Sequence, residues 1–415
     1  MTPSRHGTPK HHSQTGFSVL FLALLLLFVS SCATQSYQYE RTSSFPVRER
    51  AETKTQGDIR ISASVPGKEE AQAIFGVPLY KRGIQPVWLE IVNNSPHRVR
   101  FAPTGVDRNY FSPLEVAYMH RKGFSKEARA QMDKRFHGSA LPRQIPAGET
   151  RSGYVFTHAS PGTKSFNIDL FSGNIDHNFA FFITVPGFTP DHAEVDFKSL
   201  YAPSDLLEYD HDGLRRALME SPIATKDQSG QKPGLPVSIV VVGDGSDVLK
   251  ALLRAGWYES PSVRTEEQLA QAHYLFGRVP DAVFRIQRNK EKDRNELYLW
   301  LSPMRLDGKP VWMAQITHFI GQSTQLEQVL FGTRIDPDID DGRNYFMQNM
   351  WYSQSLEQLA WLAVGTANTV ENVRVDFNGS EYFTDGFLIV AWLSGVPVSL
   401  LETTNADWDD PPFTQ

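Results

Sequence analysis

A single cysteine, Cys32, stands in a chain of 415 residues, so no intramolecular disulfide can staple the fold. Hydrophobic cores and hydrogen bonds must hold it, and at this length two cores are expected rather than one. The 40% hydrophobic and 12% aromatic content supplies material for both and excludes wholesale disorder. Net charge is −6, and loss of the first 31 residues would remove Arg5 and Lys10 and make it more acidic. That balance excludes a basic surface over the whole molecule of the kind that binds nucleic acid.

The position of the cysteine supplies its reason. Basic Arg5, Lys10, His11 and His12 precede an apolar run from Phe17 to Val29. As a helix rising about 1.5 Å per residue, that run reaches about 20 Å, short of the roughly 30 Å of hydrocarbon in a bilayer. A basic flank, a short apolar stretch and small residues after it predict an export signal over residues 1–31. Val29-Ser30-Ser31-Cys32 resembles the lipobox of bacterial lipoproteins. The resemblance implies cleavage before Cys32, a diacylglyceryl group on its thiol, an acyl lipid beside it, and membrane anchoring through those chains. Ala33, in place of an aspartate, implies sorting to the outer membrane, with the protein facing the periplasm.

Residues 32–56 are polar without apolar periodicity and predict a flexible tether. From 57 to 200 the pattern is β. Ile59, Ile61 and Ala63 alternate with polar residues, and Val87 to Val92 ends at the turn Asn93-Asn94-Ser95-Pro96. Val99 and Phe101, Tyr154 to Phe156, Phe166 to Phe171 and Phe179 to Val185 continue it, predicting an immunoglobulin-like β-sandwich. Ser125 to Phe136 interrupts it with a stripe of Ala128, Met132 and Phe136 among basic residues. That stripe fits either a helix packed on the sandwich or a helix that touches anionic headgroups. Residues 201–235 predict a connector around one short helix, Leu206 to Met219.

The second domain, 236–402, is predicted α+β, with a tail over 403–415. Val237 to Val242 is an apolar strand leading through Gly243-Asp244-Gly245 into a helix capped by Ser246 or Asp247. Leu297 to Leu301 and Val311 to Ile320 form a hairpin across Asp307-Gly308. A helix is expected from 342 to 364, then a buried strand from Phe387 to Leu393.

Chemistry-bearing groups are few. Gly243-Asp244-Gly245 lacks the third glycine of a dinucleotide fingerprint, since Val248 stands there. Asp336, Asp338 and Asp340 alternate as in loops that hold a hard divalent cation, and they also sit where acids cap a helix. His318 is a candidate base on a strand, and Arg343 a candidate electrostatic partner. There is no Gly-x-Ser-x-Gly elbow and no His-Glu-x-x-His pair.

The elements Leu275-Phe276-Gly277-Arg278-Val279-Pro280-Asp281, Leu297 to Leu301, Asp307 to Trp312, Ile335 to Asp340 and Tyr382 to Gly386 occur in order. Together they resemble the LssY-like C-terminal domain of bacterial envelope proteins, over about 236–395. The resemblance implies a domain without established activity. It also implies a histidine before the Ile335–Asp340 element, an arginine after it and an arginine after Thr384-Asp385-Gly386. Arg343 matches, whereas Thr333, Arg334 and Phe387 stand at the other places.

The chain is therefore expected to be a non-enzymatic, lipid-anchored envelope protein whose second domain binds a partner in envelope or secretion processes. No cofactor and no nucleic acid are expected. The alternatives are a metal-assisted hydrolase using Asp336, Asp338 and Asp340 with His318 or Arg343, and a carrier of lipid or glycan with an apolar groove between its domains.

Overall fold

The computed structural model describes residues 35–173, 175–261, 265–287, 293–320 and 334–412. The export signal, Cys32, Thr333 and the last three residues lie outside them.

The first domain is built from β1 (Glu52–Gln56), β2 (Ile59–Ser64), β3 (Ile84–Asn93), β4 (Val99–Ala102), β5 (Gln144–Ile145), β6 (Thr150–His158), β7 (Thr163–Ser172) and β8 (Ile175–Thr184). They form two antiparallel sheets, ordered β1-β2-β3-β6 and β5-β4-β7-β8. The alternation of Ile59, Ile61 and Ala63 faces Val87, Leu89 and Ile91 inward, against Phe101, Ile168, Leu170 and Phe181 of the other sheet. With β2, β3 and β6 as strands A, B and E, and β4, β7 and β8 as C, F and G, the pairing is that of an immunoglobulin-like sandwich, with β1 as an added edge.

Three helices cover the outer face of the first sheet: α1 (Lys68–Phe75), α2 (Pro113–His120) and α3 (Lys126–Ser139). Ser112 caps α2 through a reciprocal box with Glu115, and Ser125 caps α3. Ala128, Met132 and Phe136 of α3 are buried with Phe75, Tyr154 and Phe156, so the packing alternative for this stripe holds. The flexible tether expected over 32–56 is corrected from residue 35 onward. Tyr37 and Val47 are buried in the same cluster, the Tyr37 hydroxyl donates to Phe75 O at 2.8 Å, and 52–56 is β1. Two buried side chains in a polar stretch give no periodicity to read.

The second domain centres on a ten-stranded mixed sheet. Its strands are β9 (Leu207–Tyr209), β12 (Ile239–Val242), β13 (Tyr258–Glu259), β14 (Ala282–Gln287), β15 (Arg294–Leu306), β16 (Lys309–Ile320), β17 (Arg334–Ile335), β18 (Leu356–Ala363), β21 (Phe387–Leu393) and β22 (Thr404–Asn405). Two small ribbons flank it, β10 (Ala224–Lys226) with β11 (Pro233–Pro236), and β19 (Arg374–Val375) with β20 (Glu381–Tyr382). The central order is β13-β14-β15-β16-β12-β21-β18-β22. The helices are α4 (His211–Glu220), α5 (Gly245–Arg254), the short α6 (Glu266–Ala270) and α7 (Ile339–Tyr352).

Both faces of this sheet are covered, which is why β12 and β21 are continuously apolar. Ile239 and Val241 face α5 and α7 with Leu252, Phe346 and Met350. Val240 and Val242 face α4 with Leu214 and Leu218. The β15–β16 hairpin turns at Asp307 and Gly308, with φ of 48° and 76°, the pair of positive values a two-residue turn requires.

Four expectations change. The connector of 201–235 is part of this domain: β9 pairs with β15, α4 covers a sheet face, and Tyr201 Oη donates to Leu301 O at 2.9 Å. The tail beyond 402 is also bound in, through β22 on β18 and Trp408 against Trp392. The helix after 243 starts two or three residues earlier than read, with Asp244 as its N-cap in place of Ser246 or Asp247. The helix expected over 342–364 ends at Tyr352, and β18 follows after Gln354, whose φ is +59°.

Candidate functional site

The family-like motifs converge, and each convergence is a clamp. Asp338 is the N-cap of α7 and accepts from Asp340 N at 3.2 Å, while Asp336 accepts from Asp338 N at 3.1 Å. Asp336 also lies 3.3 Å from His318 Nδ1, and Asp293 lies 3.1 Å from His318 Nε2, so that β16 is tied to the turn before α7. Asp340 turns the other way. Its carboxylate accepts from Thr384 Oγ1 at 3.0 Å and from Asp385 N at 2.6 Å.

Arg343 is the hub. Its side chain has no exposed surface and forks onto Asp385 at 2.8 and 2.7 Å, onto Phe387 O at 2.7 Å and onto Asp340 at 3.2 Å. The guanidinium lies 5.1 Å from the Trp361 ring centre. Gly386 closes the loop at a φ of +82°, where a Cβ would sit 2.5 Å from Gly365 O. Phe387 stands where the family resemblance expects an arginine, and Arg343 bonds its backbone carbonyl.

The three aspartates therefore point to three separate tasks. Among the described residues, no group of three histidine, cysteine, aspartate or glutamate side chains is arranged to hold a metal ion. His318 and Arg343 are separated in function as well, one held by Asp336 and Asp293, the other by Asp385 and Asp340.

Burial pushes the Asp340 carboxyl up to about 6, against the pull of Arg343. The sign of the linkage follows. A carboxyl raised in the folded state binds more protons there than in the unfolded chain, so its contribution to stability falls as pH rises from about 4 to about 6. Asp340→Asn is expected to remove that fall, which amounts to at most about 3 kcal/mol. Denaturant unfolding of both proteins at steps from pH 4 to 7 measures it. Parallel curves would show that Asp340 does not titrate in that window.

The second motif is a clamp too. Arg278 forks onto Asp281 at 2.9 Å on both arms and reaches the Tyr201 hydroxyl at 3.1 Å. Asp281 accepts from Leu301 N at 2.7 Å. Trp312 Nε1 donates to Gly243 O at 3.0 Å.

The Arg278 clamp and Trp312 border a groove that no single motif announced. It encloses about 620 Å³, in the range of small-molecule sites. One wall is the sheet, with Phe284, Leu299, Leu301 and Trp312; the second is the first turns of α5; the third is the segment from His192 to Leu206 that crosses from the sandwich. Phe197 packs edge-on to Trp312, with ring centres 5.5 Å apart. Two cations, Lys198 and Arg305, line it, and among the described residues no carboxylate does.

A sandwich joined to an α+β domain with a mixed ten-stranded sheet is the class of protein this fold defines. Residues 218–388 match the family described as LssY C-terminus, so the chain carries an LssY C-terminal domain from the last turn of α4 to the start of β21. No curated protein matches the chain.

Proposed function

We propose that the protein is a lipid-anchored component of the bacterial cell envelope, tethered through Cys32, whose LssY C-terminal domain binds an apolar ligand in the groove beside β15. The reading is of a binding protein and not a hydrolase. Outer-membrane placement facing the periplasm follows from the residue after Cys32, and an envelope or secretion component is its proposed partner.

The groove carries this reading. Phe284, Leu299 and Trp312 form its buried floor, and Phe197, Leu206, Leu249 and Leu301 are partly exposed at its sides, so a ligand that covers them gains about 25 cal/mol per Å² of apolar surface. The clamp at Arg278, which fixes Tyr201 and Leu301, holds two of the residues that line the groove. The hydrolase alternative draws no comparable support, because Asp340 and Arg343 spend their polar atoms on each other and on Thr384, Asp385 and Phe387. Among the described residues no helix is long and apolar enough to cross a membrane, which leaves attachment to the lipid at Cys32 in this proposal.

One experiment addresses both halves. Cells expressing wild type, Cys32→Ala and Ser246→Trp are grown with radiolabelled palmitate, and the purified proteins are titrated with the neutral dye Nile red. Wild type and Ser246→Trp are expected to carry label and Cys32→Ala none. Ser246 is an exposed groove residue in the first turn of α5. Tryptophan there is expected to weaken dye binding at least about tenfold, or about 1.4 kcal/mol. Label on Cys32→Ala would end the anchor, and equal dye binding by Ser246→Trp would end the groove.

A further inference from the structure

Resting on that groove reading, we infer that the natural occupant is an anionic fatty-acyl amphiphile, its headgroup held by Arg305 with Lys198 and its chain laid along β15. The inference concerns the chemical class of the ligand, and it is carried by two cations that make no ion pair among the described residues and face an apolar wall.

Arg305 is the more telling of the two. Its Nε is buried and makes no hydrogen bond, and among the described residues its guanidinium has no ion pair. Glu208 stands opposite it in the β9–β15 register, yet that carboxylate accepts from Gly308 N at 2.6 Å instead. A buried donor left unsatisfied costs about 1–3 kcal/mol, more when the group is charged. The cost is relieved when a carboxylate or phosphate accepts from it, most strongly in a forked, charge-assisted pair.

The strand is shaped to put this cation where a headgroup would sit. Leu301 pairs with Trp312 and Arg305 with Pro310, so a step of four residues on β15 meets a step of two on β16. Ser302 seals the bulge by donating to Val311 O at 2.7 Å and accepting from Met304 N at 3.2 Å. Bulges of this kind re-aim side chains beside binding sites.

Register then orders the wall. Arg305 lies at the hairpin end, Leu301 and Leu299 follow, and Phe284, which pairs with Leu297, lies furthest from the hairpin. Polar at one end and apolar along the rest, the wall matches an acyl chain with a charged terminus. Lys198 is exposed on the facing segment and adds a second positive charge, and among the described residues no carboxylate lines the groove.

The test uses the full chain in isolated membranes and two photoreactive probes with the same sixteen-carbon chain, one ending in a carboxylate and one in an alcohol. Crosslinked peptides are mapped by mass spectrometry. The carboxylate probe is expected to label the strands β14 to β16 and to outcompete the alcohol about tenfold. Arg305→Gln combined with Lys198→Gln is expected to bring the two probes level by lowering carboxylate labelling. Ser246→Trp, which narrows the cavity, is expected to depress both. Equal labelling by the two probes in wild type, or an undiminished acid preference in the double variant, overturns the headgroup inference while the groove stands. Absence of labelling in the groove by either probe overturns the groove reading itself, and this inference with it.

Discussion

Replacing Arg343 by leucine is expected to destabilise the LssY C-terminal domain by about 3–5 kcal/mol, the cost of stripping the cation from a buried ionic cluster. The reason is what stays behind. Asp385 loses both arms of its fork and Asp340 its guanidinium neighbour, while Phe387 O loses a donor. For a domain of this size, that corresponds to a fall in melting temperature of roughly 10 °C. Lysine at 343 keeps the charge and loses the planar fork, so Arg343→Lys is expected to fall between leucine and wild type. The pH dependence identifies the cause. With the cation gone, Asp340 is raised further above its already high value of about 6, and protonation relieves part of the damage. The deficit of Arg343→Leu should therefore be larger at pH 8 than at pH 5. Adding Asp385→Asn to Arg343→Leu removes one stranded charge and is expected to recover part of the loss. A melting temperature within about 1 °C of wild type at pH 8 would mean that the cluster does not stabilise the domain, whatever its geometry.

This cluster also shows which features of the chain are legible in advance. Local patterns are: alternation in β2, the apolar run of β12 and the Asp-Gly turn of the hairpin all depend on residues a few positions apart. The alternating acids before α7 were equally visible, as was the capping that Asp338 performs, but the roles of Asp336 and Asp340 were not. Asp340 is answered by Thr384 and Asp385, over forty residues downstream, and Asp336 by His318 on another strand. A chelating loop and a set of three separate anchors look alike until those partners are placed. The end of α7 was hidden for a different reason. Gln354 takes the left-handed conformation without a glycine or proline to mark it, and the apolar residues of β18 carry on a spacing a helix would tolerate. The groove was out of reach altogether, because Phe197, Val248, Leu299 and Trp312 come from four segments that share no motif.

The join between the domains makes the second large prediction. Glu259, on the edge strand β13, is almost wholly buried and reaches the sandwich, accepting from Thr163 N at 2.6 Å and bonding His192 Nε2 at 2.7 Å. Backbone contacts reinforce it, with Asp191 N donating to Ser260 O at 3.1 Å and a bridge between Pro190 and Pro261. Glu259→Ala leaves a buried amide and a ring nitrogen without an acceptor, at a cost of about 2–5 kcal/mol. Because the lost contacts join two cores, the expected signature in calorimetry is a split of one unfolding transition into two. Burial pushes the Glu259 carboxyl up, but hydrogen bonds from His192 and Thr163 together outweigh it and hold it below its ordinary value. A carboxyl lowered on folding stabilises the native state above its unfolded value, about 4.3, and loses that contribution as pH falls through the folded value. Acid is therefore expected to uncouple the domains of wild type as alanine does at neutral pH. His192 also lines the groove, so the same uncoupling is expected to weaken Nile red binding. Should Glu259→Ala unfold in one transition and bind dye as wild type does, the carboxylate neither couples the domains nor supports the wall.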